Sequence, residues 1–144
     1  MFSKACEYAI RATVHLARKS MEGQRASMID IANEIDSPVA FTSKILQQLV
    51  KANIIYSTRG QKGGFGIDAP GMMTRTIADI VSAIDGTAIF ENCGLGLKEC
   101  SGIQPCPVHV EFAKIREDLR NVLENTTIAS MAANLNDGLT YLKR

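Results

Sequence analysis

The 144-residue sequence has no apolar run approaching the ~18 residues that a membrane-spanning helix needs. Its first twenty residues are interrupted by Lys4, Glu7, Arg11, Arg18 and Lys19, so they lack the apolar stretch of an export leader. It carries no glycine repeat and no block of like charge, and it is 46% hydrophobic and 22% charged. Collagenous, disordered and membrane classes are excluded on those grounds, and a cytoplasmic protein of one ordinary domain with room for a small second lobe is expected.

The net charge of +1 conceals an asymmetry. Residues 1–75 hold ten Lys/Arg against six Asp/Glu, whereas residues 76–144 hold six against nine. A basic front half beside an acidic back half suits a chain in which one half meets a polyanion. Two segments are expected: 1–75, binding DNA, and 76–144, carrying a loop at 91–106 and a dimerisation helix.

Along the front half, Ser3 caps a predicted helix running to about Lys19, with Ala5, Tyr8, Ala9, Ala12, Leu16 and Ala17 as its apolar stripe and Glu22-Gly23 as its end. A second helix starts at Ser27 with Asp30 completing a capping box, and buries Ile31 and Ile35. Asp36-Ser37-Pro38 then breaks and restarts the chain, with Ser37 as cap and Pro38 as first helical residue. The third helix runs to about Ala52, burying Phe41, Ile45 and Leu49, and Asn53 takes a left-handed closing position. Ile54 to Arg59 has strand composition, Gly60, Gly63 and Gly64 form a loop, and Phe65-Gly66-Ile67 returns antiparallel. Two helices joined by a tight turn and followed by a hairpin give the order of a winged helix-turn-helix.

Pro70-Gly71 reads as punctuation, and Thr76 with Asp79 caps a helix that ends at Asp85-Gly86. Gly94, Gly96, Gly102, Pro105 and Pro107 mark a loop. A long helix from Pro107 to about Glu124 places Val108, Phe112, Ile115, Leu119, Val122 and Leu123 on one side, and Thr127 caps a last short helix. That long stripe is expected to pair with a two-fold mate, as suits helix-turn-helix proteins that read successive major grooves. The fold expected is therefore mainly α with a small β-hairpin wing: a winged helix-turn-helix plus a long C-terminal dimerisation helix.

With Phe41, Ile45 and Leu49 turned inward, Ala40, Thr42, Ser43, Lys44 and Gln47 are the candidate base-reading set on the third helix. Arg59 and Lys62 flank a narrow glycine tip able to enter a minor groove. Double-stranded DNA is the implied partner.

Of four cysteines, Cys6 stands alone among Ala5, Tyr8 and Ala9 and reads as a small core residue, as His15 reads as structural. Cys93, Cys100 and Cys106 fall within fourteen residues, with His109 three further on. Structural zinc sites bring ligands in close pairs, two to four residues apart, whereas the gaps here are wide. Wide gaps on a flexible loop suit a larger group, an iron–sulfur cluster held by three thiolates and a fourth ligand such as His109. A zinc-bound regulator, a thiol-redox protein with a nucleophilic cysteine, and a disulfide pair with one spare cysteine are the alternatives. Against a cysteine enzyme, Cys93 and Cys100 have no evident Asp, His or Asn partner, and the glycine wing would be left unexplained. No catalytic residue is assigned.

The combination resembles the IscR/NsrR family of bacterial winged-helix repressors over almost the whole chain. The resemblance is carried by Tyr8-Ala9-x-Arg11-Ala12 with Leu16-Ala17, by Ile29-x-Ile31-Ala32, and by the wing Arg59-Gly60-x-x-Gly63-Gly64-Phe65. Ile80-x-x-Ala83-Ile84-Asp85-Gly86 and the three-cysteine loop extend it. It implies a homodimeric repressor, a redox or nitric-oxide sensor, whose affinity for DNA depends on an iron–sulfur cluster on Cys93, Cys100 and Cys106. In IscR-like members the fourth ligand to a 2Fe–2S cluster corresponds to His109. In nitric-oxide-sensing members a 4Fe–4S cluster takes an acidic residue from the other protomer, which corresponds to Glu7. The chain departs from the pattern in a first cysteine gap of six rather than five residues, in Asn53 for Gly, in Phe65 for Tyr and in Phe112 for Trp.

Overall fold

A computed structural model describes residues 1–136 and 140–143. In chain order the elements are α1 (Lys4–Met21), α2 (Met28–Ile35), α3 (Val39–Lys51), β1 (Tyr56–Thr58), β2 (Gly64–Gly66), α4 (Ala69–Thr74), α5 (Ile77–Ile84), α6 (Ala88–Glu91), α7 (His109–Asn125) and α8 (Ile128–Asn136). The molecule is mostly helical, with a two-stranded antiparallel hairpin as the sheet among the described residues.

Local chemistry explains the helix starts. The Ser3 hydroxyl accepts the Cys6 N–H at 3.1 Å and opens α1. Ser27 and Asp30 satisfy each other's backbone donors at the head of α2, and Thr76 and Asp79 form the matching capping box on α5. Thr127 accepts the Ser130 N–H at 3.1 Å and opens α8.

The turn between α2 and α3 differs from expectation. Ser37 is not the cap, and its buried hydroxyl has no hydrogen-bond partner. Asp36 takes the left-handed conformation (φ 54°), and Pro38 precedes α3 without a side-chain cap bond. Proline's fixed φ starts the helix without one. Asn53 also sits at positive φ (57°), closing α3 as its small polar side chain allows.

The wing strands are shorter than their composition suggested, because Ile54 and Ile55 are buried in the core rather than paired. The register pairs Tyr56 with Gly66, Ser57 with Phe65 and Thr58 with Gly64. Phe65 also exchanges both backbone hydrogen bonds with Ala26, at 2.8 and 3.1 Å, which ties the wing to the segment before α2. Pro70 and Gly71 do not interrupt the chain but lie within the first turn of α4, where a missing N–H costs nothing; Asp68 caps it.

A single cluster joins Leu16 and Ala17 of α1, Ile31 of α2, Ile45, Leu46 and Leu49 of α3, Ile80 of α5 and Ile128 and Ala132 of α8. The front half therefore has no separate core: α5 and α8 cross residue 75 to complete it. A smaller cluster of Cys6, Val81, Phe90 and Leu123 joins α1, α5, α6 and α7. As a result α5 packs against α1, α3 and α7 together.

Only part of the stripe expected to be buried on α7 is covered within the chain. Leu123 is buried and Phe112 and Leu119 are half-buried, but Ile115 is 60%, Val122 58% and Val110 74% exposed. The helix presents two sides: one meets α5, α6 and the cysteine loop, and the other is open, with Ile115 and Val122 one above the other beside Glu111 and Asp118, and Val110 apart from them.

Candidate functional site

The chemistry-bearing residues fall into two regions, a basic head formed by α3 and the wing, and a sulfur site on the loop before α7. On α3, Ala40, Lys44 and Gln47 are exposed and Ser43 is half-buried, with the Gln47 amide 3.5 Å from the Ser43 hydroxyl. Thr42 does not belong with them. It is fully buried, and its hydroxyl donates to the Pro38 carbonyl at 3.0 Å. It lies in register with the stripe that continues through Ile45, Leu46 and Leu49, and a backbone-bonded hydroxyl is as compatible with that side as an apolar group. Val39 and Gln48, omitted from the expected outward set, are exposed instead.

Arg59 and Lys62 are exposed at the wing tip. Sequence reasoning missed their support: the Arg25 guanidinium donates to the Lys62 carbonyl at 2.9 Å and lies over the Tyr56 ring at 5.9 Å. A Cβ on Gly63 would stand 2.2 Å from the Thr58 carbonyl oxygen, so the tip requires a residue without a side chain there.

All four cysteines are free thiols: Cys6 is buried in the core on α1, and Cys93, Cys100 and Cys106 are half-buried on the loop. The sequence-predicted ligands gather in two pairs. Cys100 Sγ lies 3.6 Å from His109 Nδ1. Cys93 has Cys106 and the backbone amides of Leu95 and Leu97 as its neighbours. The Leu95 and Leu97 amides push the Cys93 thiol below its usual range, and Cys106 and the Arg116 cation add to that effect. Among the described residues no three His, Cys, Asp or Glu side chains converge tightly enough for a single metal ion.

Arg116 had no signal in the sequence. From the inner face of α7 it donates through Nη2 to Cys100 Sγ at 3.1 Å and through Nη1 to the Asn92 carbonyl at 3.0 Å. One turn later Arg120 donates to the Phe90 carbonyl at 2.9 Å and stacks over that ring at 5.4 Å. The ring of Phe112 lies so close to Gly94 that a Cβ there would be 2.6 Å from it. The loop is thus seated on α7 rather than free.

Glu7 lies on the first turn of α1, ion-paired with Lys4 at 2.9 Å, and that cation holds its carboxylate below the usual range. His15 is half-buried as a structural residue would be, yet its Nε2 is buried without a partner.

The neighbouring amides favour the anionic thiolate at Cys93, the form that iron and zinc require. Three thiols and an imidazole on one loop, spread as two pairs, suit a group wider than one ion. The donor set fits an iron–sulfur cluster.

Residues 2–134 match the Rrf2 family, described as iron-dependent transcriptional regulators. A protein of Mycobacterium tuberculosis (strain H37Rv) named for HTH-type transcriptional regulation is 35% identical over 131 residues, covering 90% of this chain and 80% of that protein. The IscR of Yersinia enterocolitica is 25% identical, covering 88% of this chain and 76% of that protein. Among solved structures, CymR, the global cysteine regulator of B. subtilis, superposes with a TM-score of 0.75 at 21% identity, covering 93% of this chain and 97% of that one. The IscR of T. potens superposes at 0.74 with 18% identity over 98% and 92%. These likenesses show the winged-helix fold.

Proposed function

As this chain belongs to the Rrf2 family of transcriptional regulators and is no enzyme, we propose that it is a homodimeric repressor whose grip on operator DNA is set by an iron–sulfur cluster. The observation that carries this reading is the seating of the thiol loop on α7, through Arg116 to Cys100, together with the packing of α5 against both α7 and α3. A working division follows: residues 1–75 read DNA, and 76–144 carry the sulfur loop and the dimer helix.

Cys93, Cys100 and Cys106 would hold the cluster, and His109 is favoured as the fourth ligand because it already lies 3.6 Å from Cys100. That favours a 2Fe–2S form; Glu7 of the partner subunit is the alternative ligand, for a 4Fe–4S form. When bound, the group supplies a centre that oxidants, nitric oxide or iron shortage can alter. The rest belongs to the protein. Loop residues move with α7 through Arg116, Arg120 and the Gly94–Phe112 contact. A displacement of α7 passes to α5, and from α5 to α3, where Ala40, Ser43, Lys44 and Gln47 face outward to base edges. Arg59 and Lys62 place charge at the flanking groove. The exposed pair Ile115 and Val122, seven residues apart on one side of α7, supports pairing of two α7 helices. A coupling of about 1–3 kcal/mol between loop state and DNA would alter affinity some 5–150-fold.

A second reading draws on the Cys93–Cys106 pair: peroxide oxidation of the two thiols to a disulfide, releasing water, would reshape the same loop without metal. The likeness to the oxidised form of Staphylococcus aureus CymR, at 26% identity, supports keeping it.

Anaerobic purification with iron and sulfide quantitation, followed by operator binding with and without the cluster, tests the proposal. Iron, labile sulfide and a changed affinity are expected. A colourless protein whose DNA binding responds to peroxide through Cys93 and Cys106 would transfer the function to the second reading.

A further inference from the structure

Arg116 is the one charged side chain that reaches a loop sulfur from α7 among the hydrogen bonds of the described residues. Its partners lie on both sides of Cys93: the Asn92 carbonyl just before it and the Cys100 sulfur seven residues after it. The guanidinium is planar, always charged and able to donate in two directions at once, so one side chain can pin two points of a loop. Between those two points the backbone is held by the Gly94–Phe112 contact and a turn in which the Gly96 N–H donates to the Cys93 carbonyl at 2.9 Å, and neither reaches the Cys100 sulfur. Arg120 anchors only the preceding segment, at the Phe90 carbonyl.

We propose that Arg116 is the positioning residue of the sulfur site: it holds Cys100 and the head of the loop in place before a cluster arrives, and afterwards tunes that cluster through a cationic N–H···S bond. This rests on the cluster reading above for its second half but not for its first. Hydrogen bonds to the sulfurs of a cluster are among the determinants of its reduction potential. Reduction adds negative charge, so a cation donating to a ligand sulfur stabilises the reduced form and raises the potential. Partners one shell out from a metal ligand also govern retention, and their loss typically costs about 10–100-fold in affinity.

The test uses this chain as it assembles in solution and three variants, Arg116→Met, Arg116→Gln and Arg116→Lys. Two readouts are needed. In the metal-free protein, limited proteolysis within residues 92–108 should be faster in Arg116→Met and Arg116→Gln, while far-UV circular dichroism stays as in wild type because Arg120 still holds Phe90. After anaerobic reconstitution with iron and sulfide, both variants should lose the cluster to a chelator about 10–100-fold faster, and their midpoint potential should be more negative. Arg116→Lys should restore the potential in part, having the charge, but not the protease resistance, lacking the fork. Wild-type rates of cleavage and cluster loss, with an unchanged potential, in Arg116→Met would overturn the proposal. A wild-type protein that accepts no iron would overturn the cluster reading and the tuning role, and proteolysis would then decide the positioning role alone.

Discussion

Ser3 and Asp85 join the first residue before α1 to the last turn of α5. The Ser3 N–H donates to Asp85 Oδ2 at 2.9 Å and its hydroxyl donates to Oδ1, while the same hydroxyl oxygen accepts from Cys6. One serine therefore caps its own helix and fastens the start of α1 to the end of α5, the helix that touches α7. Asp85→Ala leaves the Ser3 cap in place but removes two hydrogen bonds to a charged group, and should lower stability by about 1–3 kcal/mol, measured by urea unfolding with unchanged slope.

Cys6 lies beneath that clasp. Burial, followed by the charge of Asp85, pushes its thiol up from 9.0 to about 12. The folded state then keeps a proton that the unfolded chain releases, so stability is intact below pH 9 and declines as pH rises toward 12. The loss should approach about 1.4 kcal/mol per pH unit and be absent in Cys6→Ala, as followed by unfolding at graded pH.

His15 gives the acid-side counterpart. Burial lowers its pKa below 6.5, so the unfolded chain takes up a proton that the folded chain refuses. The stability it contributes is complete above pH 6.5 and fades below it. His15→Gln should flatten the melting-temperature profile between neutral and mildly acid pH.

Thr42 and Lys44, two residues apart on α3, should separate stability from DNA binding. Thr42→Ala leaves operator contacts untouched and destabilises by about 1 kcal/mol, the worth of a buried hydrogen bond. Lys44→Ala should weaken binding without affecting the melting temperature; if it contacts phosphate, the salt dependence of binding falls by about one ion.

Gly64 sits at φ +132°, and a Cβ there would meet the Ala26 carbonyl oxygen at 2.8 Å. Gly64→Ala should break the Ala26–Phe65 bridge, costing about 1–3 kcal/mol of backbone strain, visible as faster amide exchange at Phe65.

Capping chemistry was readable along the chain because each cap is a local event. Ser3, Ser27 with Asp30, Thr76 with Asp79, and Thr127 all open the helices they were expected to open. The winged-helix fold was legible for the same reason: periodicity changes where the hairpin starts. Some local signals were still misread, and one partner was non-local. Thr42 looks like a base-reading polar residue until its hydroxyl is seen bonded one turn back. Pro70-Gly71 looks like a break until Asp68 caps the turn containing it. The three cysteines and His109 announced a sulfur site, but Arg116 did not, since an arginine on a polar helix face carries no local mark of its partner sixteen residues upstream.

The sequence by itself determined the order of helices and wing, the candidate ligands and their common loop, because caps, glycines and residue spacing act within a few positions. Tertiary structure alone decided that α5 and α8 complete the front core, that the three thiols and His109 meet as two pairs, and that an arginine ties Cys100 to α7. Those outcomes depend on which surfaces meet across tens of residues, and packing against a shared core selects them after the local elements have formed.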